Sequence, residues 1–179
     1  MTVQRKMVPL YTTRVASPIG ECMLLATERG VCWASTPGAD TAKGLLWAKH
    51  HMQGELVNTG TPLPDGLQQA SDELSRYLAG ERVSFTCPFD MHGTPFQIAV
   101  WQALLAIPYG ETRSYGEIAR VIGRPAASRA VGAANGANPI AIFVPCHRVI
   151  GGNKTLIGYG GGLEAKAWLL RLEGVEIGK

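Results

Sequence analysis

The sequence lacks the patterns that are typical of membrane and secreted proteins. It has no uninterrupted apolar run of about 18 residues, and its first residues do not show the basic-then-apolar order of a signal peptide. We therefore expect a soluble, cytoplasmic protein that does not bind membranes. With 46% hydrophobic and 17% charged residues, the 179-residue chain can bury the core of one ordinary domain or of two small ones.

Recognisable metal-ligand and disulfide patterns are also missing. The four cysteines form no C-x-x-C pair, and the cysteines and four histidines form no cluster with the spacing of zinc ligands. We expect neither a metal site nor a cofactor, and free thiols rather than a disulfide framework. The cysteines are Cys22, Cys32, Cys87 and Cys146.

Positive charge is scarce in the first half of the chain and more abundant in the second. Residues 1–90 contain 8 Lys and Arg against 9 Asp and Glu, whereas residues 91–179 contain 9 against 5, and six of those nine are arginines. This asymmetry is compatible with a polyanionic partner for the second half. An ordinary solvated surface would give the same numbers, so charge alone leaves both interpretations open.

Residues 1–90 are predicted to form a small α+β domain. Alternating and β-branched stretches indicate strands, and spacings of three and four between apolar residues indicate helices. The polar stretch 54–66 is predicted as a loop. Nothing in this half indicates chemistry. The predicted strands are 11–17, 22–27, 31–35 and 83–89, and the predicted helices are 41–52 and 67–78.

Residues 91–179 are predicted to form a mostly helical domain. Thr94-Pro95-Phe96-Gln97 and Ser114-Tyr115-Gly116-Glu117 both have the form of a capping box that opens a helix. Gly123 closes the second of these helices, a third follows over 125–134, and a last one covers 163–172. A helix, a tight glycine turn and another helix predict a helix-turn-helix, although many such hairpins bind nothing.

The third of these helices consists almost entirely of small residues. Arg129 is the one long side chain in its middle. Small side chains let a backbone approach a partner closely, and the arginine would then reach into that partner. The alternative is a helix packed tightly against its neighbours, with Arg129 extending to water.

The run Pro145-Cys146-His147-Arg148-Val149 follows an apolar stretch, 140–144, and a strand that enters this run must stop pairing or turn at the proline. A free cysteine is only a few per cent thiolate near neutral pH, and an imidazole nearby raises that fraction. The alternative is that Cys146 is simply a small buried hydrophobe. Glu173 at a helix C-terminus opposes the helix dipole, so a tertiary partner such as His147 is a reasonable expectation.

These motifs closely resemble those of the O6-alkylguanine-DNA alkyltransferases, also called methylated-DNA–protein-cysteine methyltransferases. The resemblance is dense from about residue 93 to residue 174 and weaker in Ser17-Pro18-Ile19-Gly20. It implies a small ribonuclease-H-like α+β domain over 1–90. A mostly helical, winged-helix-like domain with the helix-turn-helix would then cover 91–179. The motifs on which the resemblance rests are the run at 145–149, Asn138-Pro139, Ser128-Arg129-Ala130-Val131-Gly132, and Gly158-Tyr159 followed by Gly161-Gly162.

The resemblance also implies a set of catalytic roles. Cys146 would take the alkyl group from O6 of guanine, with O4-alkylthymine as a second candidate substrate. His147 would act through a water molecule as the base toward the thiol, and Glu173 would orient it. Tyr115 would donate a hydrogen bond to N3 of the departing guanine. The product thioether would not be hydrolysed, so each molecule would react once.

The remaining implied roles concern DNA and the base pocket. Arg129 would fill the gap left by a flipped nucleotide, with Ser114, Tyr115, Ala127 and Asn138 also at the DNA. Asn138 would be the hinge between the helix-turn-helix and the active-site segment. The pocket would be formed by Val149, Asn138, Tyr159 and the amide of Gly160, where many relatives have serine or alanine. The partner would be double-stranded DNA approached from the minor groove by a monomer, with cooperative binding left open.

Two other functions compete with this one. A non-catalytic DNA lesion binder of similar fold would need no thiol, and such relatives carry tryptophan at the position of Cys146. A cysteine hydrolase would use Cys146, His147 and Glu173 but would turn over repeatedly.

Overall fold

The computed structural model describes residues 7–57 and 62–177. The N-terminal part contains a four-stranded sheet in the order β3-β2-β1-β4, in which β1, β2 and β3 are antiparallel and β4 runs parallel to β1. Two helices accompany the sheet. The elements are β1 (Val8–Ser17), β2 (Gly20–Thr27), β3 (Gly30–Ala34), α1 (Ala42–Met52), β4 (Gly54–Leu56) and α2 (Asp65–Leu78).

Helix α2 packs its apolar face against the sheet. Its buried positions follow the helical spacing that the sequence predicts. Because Gly80 has a φ of 95°, the chain can reverse immediately after the helix. The buried residues of α2 are Leu67, Ala70, Leu74, Tyr77 and Leu78.

The C-terminal part is mostly helical, as predicted. Both capping boxes are present: the side chains of Thr94 and Ser114 each accept a hydrogen bond from the backbone three residues on. Gly123, with a φ of 70°, lies in the turn between the two helices of the helix-turn-helix. The elements are α3 (Pro95–Leu105), β5 (Arg113–Ser114), α4 (Tyr115–Val121), α5 (Ser128–Gly136), a 3-10 helix (Cys146–Arg148), β6 (Val149–Ile150) and α6 (Leu163–Leu172).

One predicted strand is wrong, and the apolar stretch before Pro145 forms a turn. Residues 83–89 do not form a strand; they pair with β3 only at a bridge between Phe89 and Val31. Residues 140–144 fold into a tight turn, in which the Val144 N–H donates to the Ile140 carbonyl over 3.0 Å. Ile142 adopts a φ of 72°, which a β-branched residue avoids unless tertiary contacts impose it.

Several boundaries also differ from the predictions. Helix α5 begins at Ser128 rather than at residue 125, because Pro125 lies in the preceding turn. Strand β4 lies inside the stretch predicted as a loop, where it pairs with an N-terminal extension of β1. Residues 58–61 of that predicted loop lie outside the described residues. The division at residues 90 and 91 stays a prediction.

One hydrophobic core runs through both halves of the chain. It joins α2 and the sheet to α3, α5, α6 and the segment around Cys146. The Ala34 N–H at the end of β3 donates to the Pro139 carbonyl over 2.8 Å, so the sheet edge holds the segment that leads to the thiol. No helix within residues 7–57 and 62–177 is long and apolar enough to cross a membrane.

Candidate active site

Cys146 opens the 3-10 helix directly after Pro145 and is 5% exposed. Its N–H donates to the Val144 carbonyl over 2.7 Å, which fixes the segment at the end of the turn. The thiol faces a cavity of about 420 Å³ between the two halves of the chain. Residues lining this cavity include Trp33, Thr36, Asn135, Asn138, Tyr159 and Gly160.

His147 is fully buried and hydrogen-bonded to Glu173. Its Nε2 lies 2.7 Å from Oε1 of Glu173. Since an ionised carboxylate can only accept, the proton of a neutral imidazole belongs on Nε2, and Nδ1 keeps a free lone pair. Nδ1 has no hydrogen-bond partner among the described residues. The side chain is therefore oriented to accept a proton at Nδ1.

Glu173 is buried and surrounded by donors. Arg148 donates to both carboxylate oxygens, over 2.9 Å from Nε to Oε2 and 2.9 Å from Nη2 to Oε1, and the Gly110 N–H donates to Oε2 over 3.1 Å. Burial raises the pKa of this carboxyl, but His147 and Arg148 outweigh it and hold the pKa at about 2. The carboxylate therefore stays charged, while burial lowers the pKa of His147 and favours the neutral imidazole.

The environment of the thiol contains opposing effects. Burial raises the pKa of Cys146, whereas the amide of Asn138, the charge of Lys166 and the hydroxyl of Tyr159 lower it. The buried hydroxyl of Tyr159 has no hydrogen-bond partner among the described residues. The resting thiol is therefore protonated, and groups that stabilise a thiolate already surround it.

Lys166 is a buried cation that the sequence analysis did not identify. It is fully buried on α6, and its Nζ donates to the carbonyls of Val149 over 2.6 Å and Ile157 over 3.0 Å. Burial lowers its pKa to about 8. The sequence did contain a signal for it, since Lys166 lies among the apolar positions of α6, next to Ala165 and three residues before Leu169. A lysine at such a position is seldom buried unless its ammonium group has hydrogen-bond acceptors.

Tyr115 lies at the start of α4, and its hydroxyl donates to the Ile157 carbonyl over 3.1 Å. Burial first, and then Cys146, raise the pKa of this phenol, so it remains a donor. Neither Tyr115 nor the buried Val149 is among the described residues that line the 420 Å³ cavity. Of the predicted pocket residues, Asn138, Tyr159 and Gly160 do line it.

The predicted DNA-contacting residues lie on or beside the helix-turn-helix. Arg129 is exposed on α5, which fits both interpretations of that residue. The Ser114 side chain is used in the capping box, where its hydroxyl donates to Oε2 of Glu117 over 2.8 Å. Ala127 is the residue before α5 and has no side-chain cap.

Asn138 connects the end of α5 to the thiol segment. Its Nδ2 donates to the Val144 carbonyl over 2.8 Å, and its Oδ1 accepts from the Ile140 N–H over 3.0 Å. The side chain therefore braces both ends of the turn that precedes Cys146. All four cysteines lie within the described ranges, and all are buried free thiols. Among those same residues, no group of three His, Cys, Asp or Glu side chains could hold a metal ion.

Two family models match the chain. One describes the ribonuclease-like domain of 6-O-methylguanine DNA methyltransferase and covers residues 10–91. The other describes the DNA-binding domain of the same protein and covers residues 95–175. The order of the two agrees with the mixed sheet followed by the helical part.

Curated relatives and solved structures agree with these models. A methylated-DNA–protein-cysteine methyltransferase from Methanosarcina acetivorans is 46% identical over 165 residues, which are 92% of this chain and 99% of the relative. The one from Salmonella typhimurium is 47% identical over 174 residues, or 94% and 98%. The crystal structure of Mycobacterium tuberculosis OGT in complex with DNA has a TM-score of 0.73 and 47% identity, and covers 93% of this chain and 92% of its own.

This chain belongs to the 6-O-methylguanine DNA methyltransferase family. The family agrees with the predicted fold class of an α+β ribonuclease-like domain followed by a helical DNA-binding domain, which is thereby confirmed.

Proposed function

We propose that this protein repairs DNA by moving the alkyl group of O6-alkylguanine to the sulfur of Cys146. The observation that carries the proposal is the arrangement at the cavity. A buried thiol faces the open space, and the adjacent His147 has a free lone pair on Nδ1 while Glu173 holds its Nε2. Relatives that share 46% and 47% of their sequence with this chain are named as cysteine methyltransferases acting on methylated DNA.

In the proposed step, the thiol proton passes through a water molecule to Nδ1 of His147. The sulfur then attacks the alkyl carbon, so that an S–C bond forms while the C–O6 bond breaks and its electron pair stays on guanine. Tyr115 stabilises the departing base by donating to N3. The guanine anion takes up one proton from water, and the imidazolium of His147 returns its proton to solvent. This requires the Tyr115 hydroxyl to exchange its present contact with the Ile157 carbonyl for the base.

The proposed transfer happens once per molecule. Its product at Cys146 is a thioether, which has no acyl carbon that a water molecule could attack. The buried His147 accepts a proton and Glu173 orients it, but neither can remove the alkyl group from the sulfur. The protein is therefore used up by its reaction, and its capacity equals the number of molecules present.

DNA is the proposed partner, and the helix-turn-helix is the proposed contact. An alkyl group inside the base stack cannot reach a fixed thiol, so the nucleotide has to rotate out of the duplex. The small residues around Arg129 suit the narrow minor groove and a contact that does not depend on sequence. We propose that a monomer binds in this way, with cooperative binding along the duplex a separate question. The four free thiols favour a reducing compartment such as the cytoplasm.

Incubation with duplex DNA that carries radiolabelled O6-methylguanine tests the proposal. We expect one equivalent of label on the protein, all of it on the peptide that contains Cys146, and no further reaction with fresh DNA. Released methanol over several turnovers would instead identify a hydrolase. Tight binding of the lesion without transfer would identify a non-catalytic lesion binder.

Replacing Arg129 by alanine tests the flipping role. We expect a loss of roughly tenfold or more in the rate of transfer from duplex DNA, because extruding a base costs a few kcal/mol that the arginine would help to offset. Transfer from free O6-benzylguanine should change by less than about twofold. Rates on the two substrates are compared under single-turnover conditions.

The matched control for this variant is Arg171→Ala. Arg171 is an exposed arginine on α6 that lies outside the helix-turn-helix. It should leave both rates near those of the parent protein. Equal losses on duplex DNA and free base in Arg129→Ala would exclude a flipping role for Arg129.

A further inference from the structure

Tyr77 brings a side chain of the N-terminal part into the hydrogen-bond network behind Cys146. It is the penultimate residue of α2 and is fully buried. Its hydroxyl donates to Oε1 of Glu173 over 2.6 Å, which is shorter than the 2.7 Å between that oxygen and Nε2 of His147. The same carboxylate oxygen therefore accepts from Tyr77 of the first half and from His147 and Arg148 of the second half.

The proton of the Tyr77 hydroxyl has one acceptor available to it. Nε2 of His147 lies 3.4 Å from the hydroxyl oxygen, but that nitrogen carries the hydrogen that it donates to Glu173. The Tyr77 proton is therefore directed at Oε1. Burial and the charge of Glu173 raise the pKa of this phenol far above its ordinary value, so the hydroxyl remains a donor at all relevant pH values.

The groups that face this network come from several elements. The 3-10 helix contributes Cys146, His147 and Arg148, and α6 contributes Lys166 and leads into Glu173. The loop after α3 contributes Tyr109, whose ring lies 6.2 Å from that of Tyr77 and 5.9 Å from the guanidinium carbon of Arg148. The guanidinium carbon of Arg82 also lies over the ring of Tyr109, 5.6 Å from its centroid. Among these groups only Tyr77 and Arg82 precede residue 91.

We propose that Tyr77 is a positioning residue for the alkyl transfer, through which the N-terminal domain helps to set the basicity and orientation of His147. This inference rests on the proposed function. Tyr77 acts through Glu173 and does not touch the substrate. The ribonuclease-like domain, for which the sequence indicates no chemistry of its own, would thereby contribute to the reaction through Tyr77.

The physical reason is a division of the negative charge on Oε1. Each donor to that oxygen stabilises the carboxylate and reduces its attraction for a proton on His147. Without the Tyr77 hydroxyl, the imidazolium form of His147 gains stability, and its ring loses one of the contacts that fix the position of its acceptor. At a given pH, a larger fraction of His147 then carries a proton on Nδ1, and these molecules cannot accept the thiol proton.

The test compares Tyr77→Phe with Tyr109→Phe in the full-length protein, using single-turnover transfer from labelled duplex DNA between about pH 5 and pH 9. For Tyr77→Phe we expect the acidic limb of the pH profile to move upward by up to about one unit, so that the rate at the acidic end of the range falls several-fold and at most about tenfold. Tyr109→Phe removes a hydroxyl that donates to the Leu172 carbonyl over 3.0 Å, without a hydrogen bond to the Glu173 carboxylate. Its profile should match that of the parent protein.

Rates are normalised to the fraction of molecules that can be labelled, so that a partly unfolded variant is still informative. An unchanged acidic limb in Tyr77→Phe, or the same shift in Tyr109→Phe, would overturn the inference even if both proteins become labelled at Cys146. Failure of the parent protein to become labelled would overturn the proposed function instead. The two failures are thereby distinguished by the parent protein alone.

Discussion

Cys146→Ala is expected to transfer no alkyl group and to retain binding to DNA that contains the lesion. The substitution removes the one sulfur that faces the 420 Å³ cavity among the described residues, whereas the exposed face of the helix-turn-helix is unchanged. The loss should exceed a factor of about 10⁴, since no other sulfur among the described residues lines the cavity. Label transfer and fluorescence anisotropy with lesion-bearing duplex DNA measure the two properties.

Cys87→Ala is the matched control, because Cys87 is also a buried free thiol but does not line the cavity. Burial raises the pKa of Cys87 to about 12, so that it stays protonated. It should transfer at the parent rate. Transfer that survives in Cys146→Ala, with label on another cysteine, would contradict the assignment of the nucleophile.

Glu173→Gln should both destabilise the protein and slow the transfer. The amide keeps the shape of the side chain but removes the charge that Arg148 and His147 face in a buried site. Leaving a buried charge without its partner costs about 3–5 kcal/mol. Denaturant unfolding at pH 7 measures this loss. Glu176→Gln, on an exposed residue three positions later, should change the free energy of unfolding by less than about 0.5 kcal/mol.

The same variant makes a prediction about pH. Folding lowers the pKa of Glu173 from 4.5 to about 2. The ionised carboxylate therefore stabilises the folded protein above pH 4.5. This contribution is lost as the pH falls toward the pKa of the folded state. The parent protein should therefore lose stability between about pH 4.5 and pH 2. Glu173→Gln should lose less over that range. Parallel curves for the two proteins would show that Glu173 is not the carboxylate responsible.

Local signals in the sequence were sufficient for the two capped helices of the second half, α3 and α4. Thr94 and Ser114 cap their helices through atoms only three residues away, so their geometry depends little on the rest of the fold. The pairing of His147 with Glu173 was also anticipated, because a carboxylate at the end of α6 has no favourable local partner. Cys146 could be singled out from the run in which it lies.

Other features depend on contacts between distant parts of the chain. Tyr77 reads as an apolar member of α2, and nothing near it in sequence indicates a carboxylate 96 residues further on. The turn at Ile142 contradicts the preference of a β-branched residue, and the hydrogen bonds that impose it come from the segment's own fold and from Asn138. Residues 83–89 have strand composition, but β3 offers them a pairing partner at one residue only.

The segments that pair with the edge of β3 determine how a fragment containing only the first half of the chain should behave. β3 is the outer strand of the sheet, and its free side is occupied by Phe89 at one end and by Ile140 at the other. Ile140 belongs to the second half, so the first half produced alone would expose unpaired backbone groups along a buried, apolar strand. Such edges recruit other strands. We therefore expect that fragment to self-associate, whereas the intact chain closes the edge with the segment that carries its reactive sulfur.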